Sequence, residues 1–341
     1  MSGAVRVGVW GAGAWGEKHA RVYRALEDSG LARFVGVHDH HAAKAAAAVE
    51  RYGGRVFERP QDLLEACEAV SVAVPTIAHR ACAEEALAAG CHVLVEKPMA
   101  ASVDEADAMI AAAQRAGRTL QVGQVERFNP ALLVARPHVV QPKFIEAHRL
   151  AVFQPRSLDV DVVFDLMIHD IDAVLQFVGA VPESLSAVGV AVLSTNEDIA
   201  NARLEFADGC VANLTASRVS QERLRRIRFF QADAYVSVDL AEKTGDLVKV
   251  DVPALRGALA RRAAGGLAAA SALHAGMEAI ERTRLAVQDG EPLALELAAF
   301  LRSLRDPVEG AASARAGRDA LRVAAEVRTA MKRRAVQWAA G

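Results

Sequence analysis

Near the start of the chain an apolar run, Val5–Trp10, passes directly into Gly11-Ala12-Gly13-Ala14-Trp15-Gly16 and then into a helix-like segment reaching Asp28. The string fits G-x-G-x-x-G, and each glycine has a physical task. The first permits a tight turn, the second lets backbone approach a pyrophosphate, and the third allows close helix–strand packing. The following helix offers free N–H groups and a positive dipole end to phosphates. A Gly-rich turn alone could carry the same letters, so the order strand, glycines, helix is what matters. A second apolar run ends at Asp39, 23 positions beyond Gly16, close to the roughly 20-residue spacing of a ribose-binding carboxylate. Such a carboxylate accepts from the ribose hydroxyls and repels a 2′-phosphate, so NAD is expected over NADP. Against this stand a plain turn role for Asp39 and the neighbouring His38, His40 and His41.

To about residue 123 the chain alternates short apolar runs with helical stretches. The runs are Val5–Trp10, Phe34–His38, Val70–Pro75, His92–Val95 and Thr119–Val122. Helix-like segments lie between them at Trp15–Asp28, Ala42–Tyr52, His79–Ala89 and Ser102–Ala116, followed by Gly30, Gly53, Gly90 and Gly117. Glycine there suits a left-handed C-terminal cap. The expected fold class is therefore α/β, with an N-terminal Rossmann domain on a doubly wound parallel sheet. Beyond Asn129-Pro130 the rhythm turns to strands, from Lys143–Val152 through Leu185–Leu193, Ala200–Phe206, Val211–Ala216, Arg225–Gln231 and Tyr235–Leu240 to Leu247–Val250. Turns such as Ala207-Asp208-Gly209 are hairpin chemistry. This predicts a C-terminal α+β domain on a large, open, mostly antiparallel sheet, interrupted by a helix at Val163–Val178. From Ala254 onward the Ala/Arg-rich chain reads as helical, with breaks near Gly265-Gly266, Gly290 and Pro307. The expected domains are 1–123 and 124–341, with the last helices able to pack back on the first.

Two domains suit 341 residues of which 52% are hydrophobic. A formal net charge of −2 gives no reason to expect nucleic acid or an anionic membrane as partner. Cys67, Cys82, Cys91 and Cys210 show no C-x-x-C pair and no metal-ligand spacing, so they read as reduced thiols and no metal is expected. The first residues lack a signal-peptide pattern, and the tract Ala263–Met277 is too short to span a bilayer. A cytoplasmic enzyme is the expectation.

Two further segments carry chemistry. The run His92–Val95 ends in Glu96-Lys97-Pro98, and the C-terminal ends of parallel strands are where ligands bind in such sheets. An ammonium there can stabilise an alkoxide forming as hydride leaves, although a surface lysine paired with Glu96 fits the same letters. In Asp165-Leu-Met-Ile-His169-Asp170-Ile-Asp172-Ala-Val-Leu-Gln176, an apolar stripe at 167, 171, 174, 175 and 178 has the helical period. Asp165, His169, Asp172 and Gln176 form a second stripe about opposite to it at roughly 100° per residue. An imidazole beside carboxylates can act as acid or base. A partly buried His satisfied by its neighbours is the plainer reading.

Together these strings resemble the glucose–fructose oxidoreductase, inositol dehydrogenase and MocA family over nearly the whole chain. The carriers are the glycine loop, Val74-Pro75-Thr76 with His79, Glu96-Lys97-Pro98, Arg127-Phe128-Asn129-Pro130, and Asp165-x-x-x-His169. The resemblance implies an NAD(P)-dependent oxidoreductase acting on CH–OH groups, with homodimers or homotetramers formed through the second domain's sheet. It implies that Lys97 stabilises the alkoxide, that His169 takes the hydroxyl proton and that Asp165 binds or orients substrate. Gly11, Gly13, Ala14, Trp15, Gly16, Asp39, Val74, Pro75, Thr76, His79, Glu96 and Lys97 would hold the cofactor. Arg127 and Asn129 would join Asp165 and His169 around the substrate.

Within the family, Ile145–Leu150, Ser157–Val163 and Asp165–Asp172 look similar to bacterial UDP-N-acetylglucosamine 3-dehydrogenases, except that Val160-Asp161-Val162-Val163 stands where glycines are usual. That likeness implies oxidation of the sugar's 3-hydroxyl to a ketone, then transamination by a pathway aminotransferase toward a lipid A-type amino sugar. A dehydrogenase of a free polyol or sugar such as inositol is the alternative, and a non-catalytic cofactor-binding regulator is another. The run Arg223-Leu224-Arg225-Arg226-Ile227-Arg228 could meet a diphosphate, but such alternation is more often one solvated strand face.

Overall fold

The computed structural model describes residues 3–154, 160–263, 277–305 and 312–339. The expectations placed on Ser157–Asp159, Gly265-Gly266, Pro307 and most of Ala263–Met277 lie outside these. The chain forms two compact units, Met1–Asn129 with Gly290–Ala325, and Pro130–Asp289 with Glu326–Gly341.

In the first unit β1 (Val5–Trp10), β2 (Ala32–His38), β3 (Arg55–Phe57), β4 (Ala69–Val72), β5 (His92–Glu96) and β6 (Leu120–Gly123) form one sheet in the order β3-β2-β1-β4-β5-β6. Every neighbouring pair is parallel, and β1 and β4 are almost wholly buried, as near-continuous apolar runs require. Helices α1 (Ala14–Glu27), α2 (Ala42–Tyr52), α3 (Pro60–Ala66), α4 (Thr76–Ala88) and α5 (Val103–Ala116) connect the strands. Gly30, Gly53, Gly90 and Gly117 all take positive φ at the helix ends. At its other end α5 is capped by Ser102, whose Oγ accepts from the Glu105 N–H at 3.2 Å. The three-residue strand β3 and the helix α3 are additions to the sequence expectation. From the chain's far end, Leu293, Leu297, Phe300 and Leu301 of the helix Pro292–Ser303 join the core beside Ala20 and Tyr23 of α1.

In the second unit α6 (Pro130–Ala135) precedes β7 (Phe144–Leu150), and α7 (Ile168–Val178) precedes the rest of the sheet. That sheet continues through β8 (Ser184–Val190), β9 (Ile199–Glu205), β10 (Val211–Ser217), β11 (Leu224–Phe230), β12 (Ala234–Asp239), β13 (Thr244–Val250) and β14 (Ile280–Arg284). Its spatial order is β14-β13-β12-β11-β7-β10-β9-β8. β7 and β10 run parallel, and the other neighbours are antiparallel. The strand Ile280–Arg284 corrects the helical expectation for this stretch: as an edge strand it is mostly exposed and charged and carries no apolar alternation. α7 covers the face bearing the buried Ile145, Ala147, Ile227 and Phe229, with the Phe177 and Phe229 rings 4.5 Å apart.

Candidate active site

Gly11 has φ +102°, a conformation that L side chains rarely adopt, and a Cβ there would stand 2.6 Å from the Ala73 carbonyl oxygen. A Cβ on Gly16 would stand 1.7 Å from the Gly11 oxygen, so α1 can begin this close to β1 only with glycine. At Gly13 a Cβ would meet nothing within 4 Å. The Gly11 N–H donates to the His38 carbonyl and the Ala73 N–H to the Trp10 carbonyl, each at 2.8 Å, which joins the ends of β1, β2 and β4. Over them opens a cleft of about 470 Å³ lined by Gly11, Gly13, Ala14, Trp15, Asp39, Val74 and Pro75, together with His38, His40 and Lys44. Gly16 lies buried beneath it.

The Asp39 carboxylate, with its side chain 7% exposed, accepts the Ala12 N–H at 2.6 Å and the His41 N–H at 2.8 Å. Burial alone would raise its pKa, but those two backbone donors prevail and hold it below the ordinary carboxylate range. It is therefore charged at neutral pH, and it retains lone pairs for further donors.

At the end of β5, Glu96 turns inward. Its Oε1 lies 2.8 Å from His19 Nε2 on α1, and its Oε2 accepts the Lys97 backbone N–H at 3.3 Å. The half-buried Lys97 thus has its main chain held by the preceding carboxylate. His79, 1% exposed, sets Nε2 2.9 Å from the Val74 oxygen and Nδ1 3.0 Å from the Pro98 oxygen. Burial pushes its pKa below the ordinary imidazole value, so the ring is neutral and donates to one carbonyl at a time. Glu96 and His79 therefore brace the turns on either side of Lys97 and are absent from the cleft lining, as is Thr76 at the start of α4. Arg127 and Asn129 follow β6 and are buried, with Asn129 Nδ2 donating to Glu126 Oε2 at 3.3 Å. His19 escaped the sequence reading, although its helical spacing from Gly16 and Tyr23 puts it on the buried face of α1.

In the second unit, Asp161 Oδ1 accepts the N–H groups of Val163 and Phe164 at 3.0 and 3.1 Å, starting a helical segment. Residues Val163–Met167 wind as one π-turn before α7 begins at Ile168. Of the stripe expected from Asp165 to Gln176, Asp165 sits in this π-turn while His169, Asp172 and Gln176 lie in α7. Asp172 is buried. Asp170, outside that stripe, makes a buried ion pair with Arg149 of β7, with Nε 3.1 and 3.0 Å from the two oxygens and Nη2 2.8 Å from Oδ1. Asp165 and His169 are half-buried. Asp165 lines a cleft of about 290 Å³ with Arg218, Arg223 and Arg225. Behind it Arg218 is held by Asp198 Oδ1 at 2.9 Å, the Val160 carbonyl at 2.7 Å and Ser194 Oγ at 3.0 Å.

The four cysteines are buried and form no disulfide. Burial pushes Cys82, Cys91 and Cys210 up to about 11, which keeps the thiols protonated and poor nucleophiles. Among the described residues no group of three or more His, Cys, Asp or Glu could hold a metal ion, and no helix is long and apolar enough to cross a membrane.

The first unit fits a dinucleotide on its own geometry: open space at Gly13, free N–H groups at the start of α1, and a charged Asp39 at the end of β2. A family model described as the oxidoreductase family with an NAD-binding Rossmann fold matches residues 5–124, and one for the GFO/IDH/MocA C-terminal domain matches residues 113–236. The UDP-N-acetylglucosamine 3-dehydrogenase of Acidithiobacillus ferrooxidans is 43% identical over 241 residues, covering 70% of this chain and 75% of that protein. A solved structure of an enzyme of that name from the same organism superposes with TM-score 0.83 at 36% identity, covering 97% of this chain and 98% of the other. An inositol 2-dehydrogenase of Rubrobacter xylanophilus is 31% identical over 76% of this chain and 74% of its own length.

Proposed function

Because the chain belongs to the GFO/IDH/MocA family of NAD-binding oxidoreductases, we propose that it oxidises the 3-hydroxyl of UDP-N-acetylglucosamine to a ketone. The observation that carries this reading is the 43% identity to a dehydrogenase of that substrate over 70% of the chain. NAD, when bound, supplies the acceptor for the hydride of the carbinol carbon. The protein's part is to hold the alcohol and manage its proton. Lys97 places a cation beside the forming alkoxide, His169 accepts the hydroxyl proton, and Asp165 accepts hydrogen bonds from neighbouring sugar hydroxyls. Asp39 receives the adenosine ribose and disfavours a 2′-phosphate.

The ketone is a substrate for an aminotransferase, which fits a place ahead of transamination in lipid A-type amino sugar synthesis. A homodimer or homotetramer in the cytoplasm completes the proposal. A second reading, a dehydrogenase of a free polyol, is favoured by the inositol 2-dehydrogenase relative.

The deciding experiment follows the near-ultraviolet absorbance of reduced nicotinamide on mixing enzyme, NAD and UDP-N-acetylglucosamine, with glutamate and an aminotransferase drawing off the ketone. Myo-inositol and glucose serve as controls. A rise with the sugar nucleotide alone is expected; a rise confined to a polyol transfers the protein to the second reading.

A further inference from the structure

The arginine run before and within β11 divides between the two faces of the sheet. Arg226 and Arg228 share one face and are neutralised there, Arg226 by Asp239 at 3.2 Å and Arg228 by Glu146 at 2.8 Å. Arg225 alternates with them and falls on the face of Ile227 and Phe229, the one α7 covers. There it lines the Asp165 cleft with Arg223 and Arg218. Arg218 is already matched by Asp198, whereas the exposed Arg223 has no ion pair to any described residue. Arg223 and Arg225 thus share with Arg218 and Asp165 a cleft of about 290 Å³.

We propose that Arg223 and Arg225 form the subsite for the diphosphate of a nucleoside diphosphate sugar. Asp165, which lines the same cleft, takes a hydroxyl of the sugar. The inference rests on the sugar-nucleotide reading above and deepens it by fixing which end of the substrate lies where. Two residues apart in extended chain, the arginine backbones are separated by about 6–7 Å, a spacing from which the long side chains can grip adjacent phosphates. Guanidinium forks match phosphate oxygens in pairs of parallel hydrogen bonds. A carboxylate side chain accepts hydrogen bonds from hydroxyls and has no donors for phosphate oxygens, which suits Asp165 to the sugar rather than the diphosphate. The opposed chemistries orient the substrate: the sugar points toward the π-turn and His169, the nucleotide toward Arg223.

The test compares Arg223→Gln, the double variant Arg223→Gln/Arg225→Gln, and Arg226→Gln as a control that removes equal charge from the other face. Three quantities are read for each: the KM for UDP-N-acetylglucosamine, the Kd for UDP alone by calorimetry, and the Kd for NADH by fluorescence. Loss of a charge-assisted phosphate contact is expected to raise the KM and the UDP Kd by roughly 10- to 100-fold per arginine, with NADH affinity and the Arg226→Gln protein unchanged. Arg223 is exposed, so its single variant reads the effect even where the double variant folds poorly. In the unmodified enzyme, UDP affinity is expected to fall with salt. A KM and UDP affinity within about twofold of the parent in Arg223→Gln and the double variant would overturn the subsite while leaving the sugar-nucleotide reading intact. An unmodified enzyme that binds no UDP and oxidises only a free polyol overturns both.

Discussion

Oε1 of Glu96 lies 2.8 Å from Nε2 of His19, with both side chains buried. The contact ties the end of β5 to the inner face of α1, and the same carboxylate holds the Lys97 backbone N–H. Replacing His19 with Leu leaves the carboxylate short of a partner in the interior. A loss of about 1–3 kcal/mol in urea unfolding is expected, with a fall in kcat and little change in NADH affinity. Parent values of both stability and kcat would show that the brace does nothing for the lysine.

Lys97→Ala and His169→Ala are each expected to lower kcat by roughly 100- to 10,000-fold while the fluorescence of bound NADH still titrates normally. Full turnover in both variants removes the proposed mechanism.

Asp39 makes a directional prediction about pH. Its folded pKa lies below the ordinary value because the Ala12 and His41 N–H groups outweigh burial. The stabilisation is therefore complete above the unfolded carboxylate pKa near 4 and is lost as pH falls through the folded value. NADH affinity is expected to stay flat from pH 8 to about 5 as far as this group is concerned. Asp39→Asn should weaken NADH binding throughout that range and narrow the preference over NADPH. Equal Kd values for NADH in the two proteins would remove Asp39 from the ribose site.

Asp198 is the acid-sensitive point of the second unit. Burial opposes its charge, but the Val192, Leu193 and Ser194 N–H groups at 2.7, 2.6 and 2.9 Å, with Arg218, hold its pKa well below the carboxylate range. The resulting stabilisation is complete above the unfolded carboxylate pKa near 4 and is lost progressively as pH falls from there through the depressed folded value. Asp198→Asn strands the Arg218 charge and is expected to cost about 3–5 kcal/mol at pH 7, measured by denaturant unfolding. The same variant should raise the substrate KM, because Arg218 lines the Asp165 cleft.

Arg149 and Asp170 can be separated by a double-mutant cycle. Either Arg149→Met or Asp170→Leu alone strands a buried charge, at about 3–5 kcal/mol. The double variant is expected to be more stable than the sum of the two losses predicts. Strict additivity in urea unfolding would mean that the pair is not coupled.

Much of the first unit was legible because its signals are local. Apolar runs mark buried parallel strands, and Gly30, Gly53, Gly90 and Gly117 mark the helix ends. β3 and α3 escaped because three- and seven-residue elements show too little period. Ile280–Arg284 escaped because an exposed edge strand needs no apolar alternation. In the candidate site, Lys97 and Asp39 stand at strand ends, where sequence order alone puts them. The π-turn at Val163–Met167 has no comparable letter code. Arg223–Arg228 looked like one charged face until cross-strand partners assigned Glu146 and Asp239 to alternate arginines. Those partners come from distant segments and are invisible to local reading.

The first unit's core contains Leu293, Leu297, Phe300 and Leu301, which the ribosome makes long after Asn129. Each buried side chain contributes on the order of 1.5–3 kcal/mol. A nascent chain that has released only residues 1–129 therefore carries an uncovered greasy stripe along α1. Vectorial folding cannot seal the nucleotide domain early; it must wait for nearly the whole message to be read. Expressed alone, that fragment is expected to bind chaperones or precipitate, and a separately supplied 290–325 peptide to rescue its solubility.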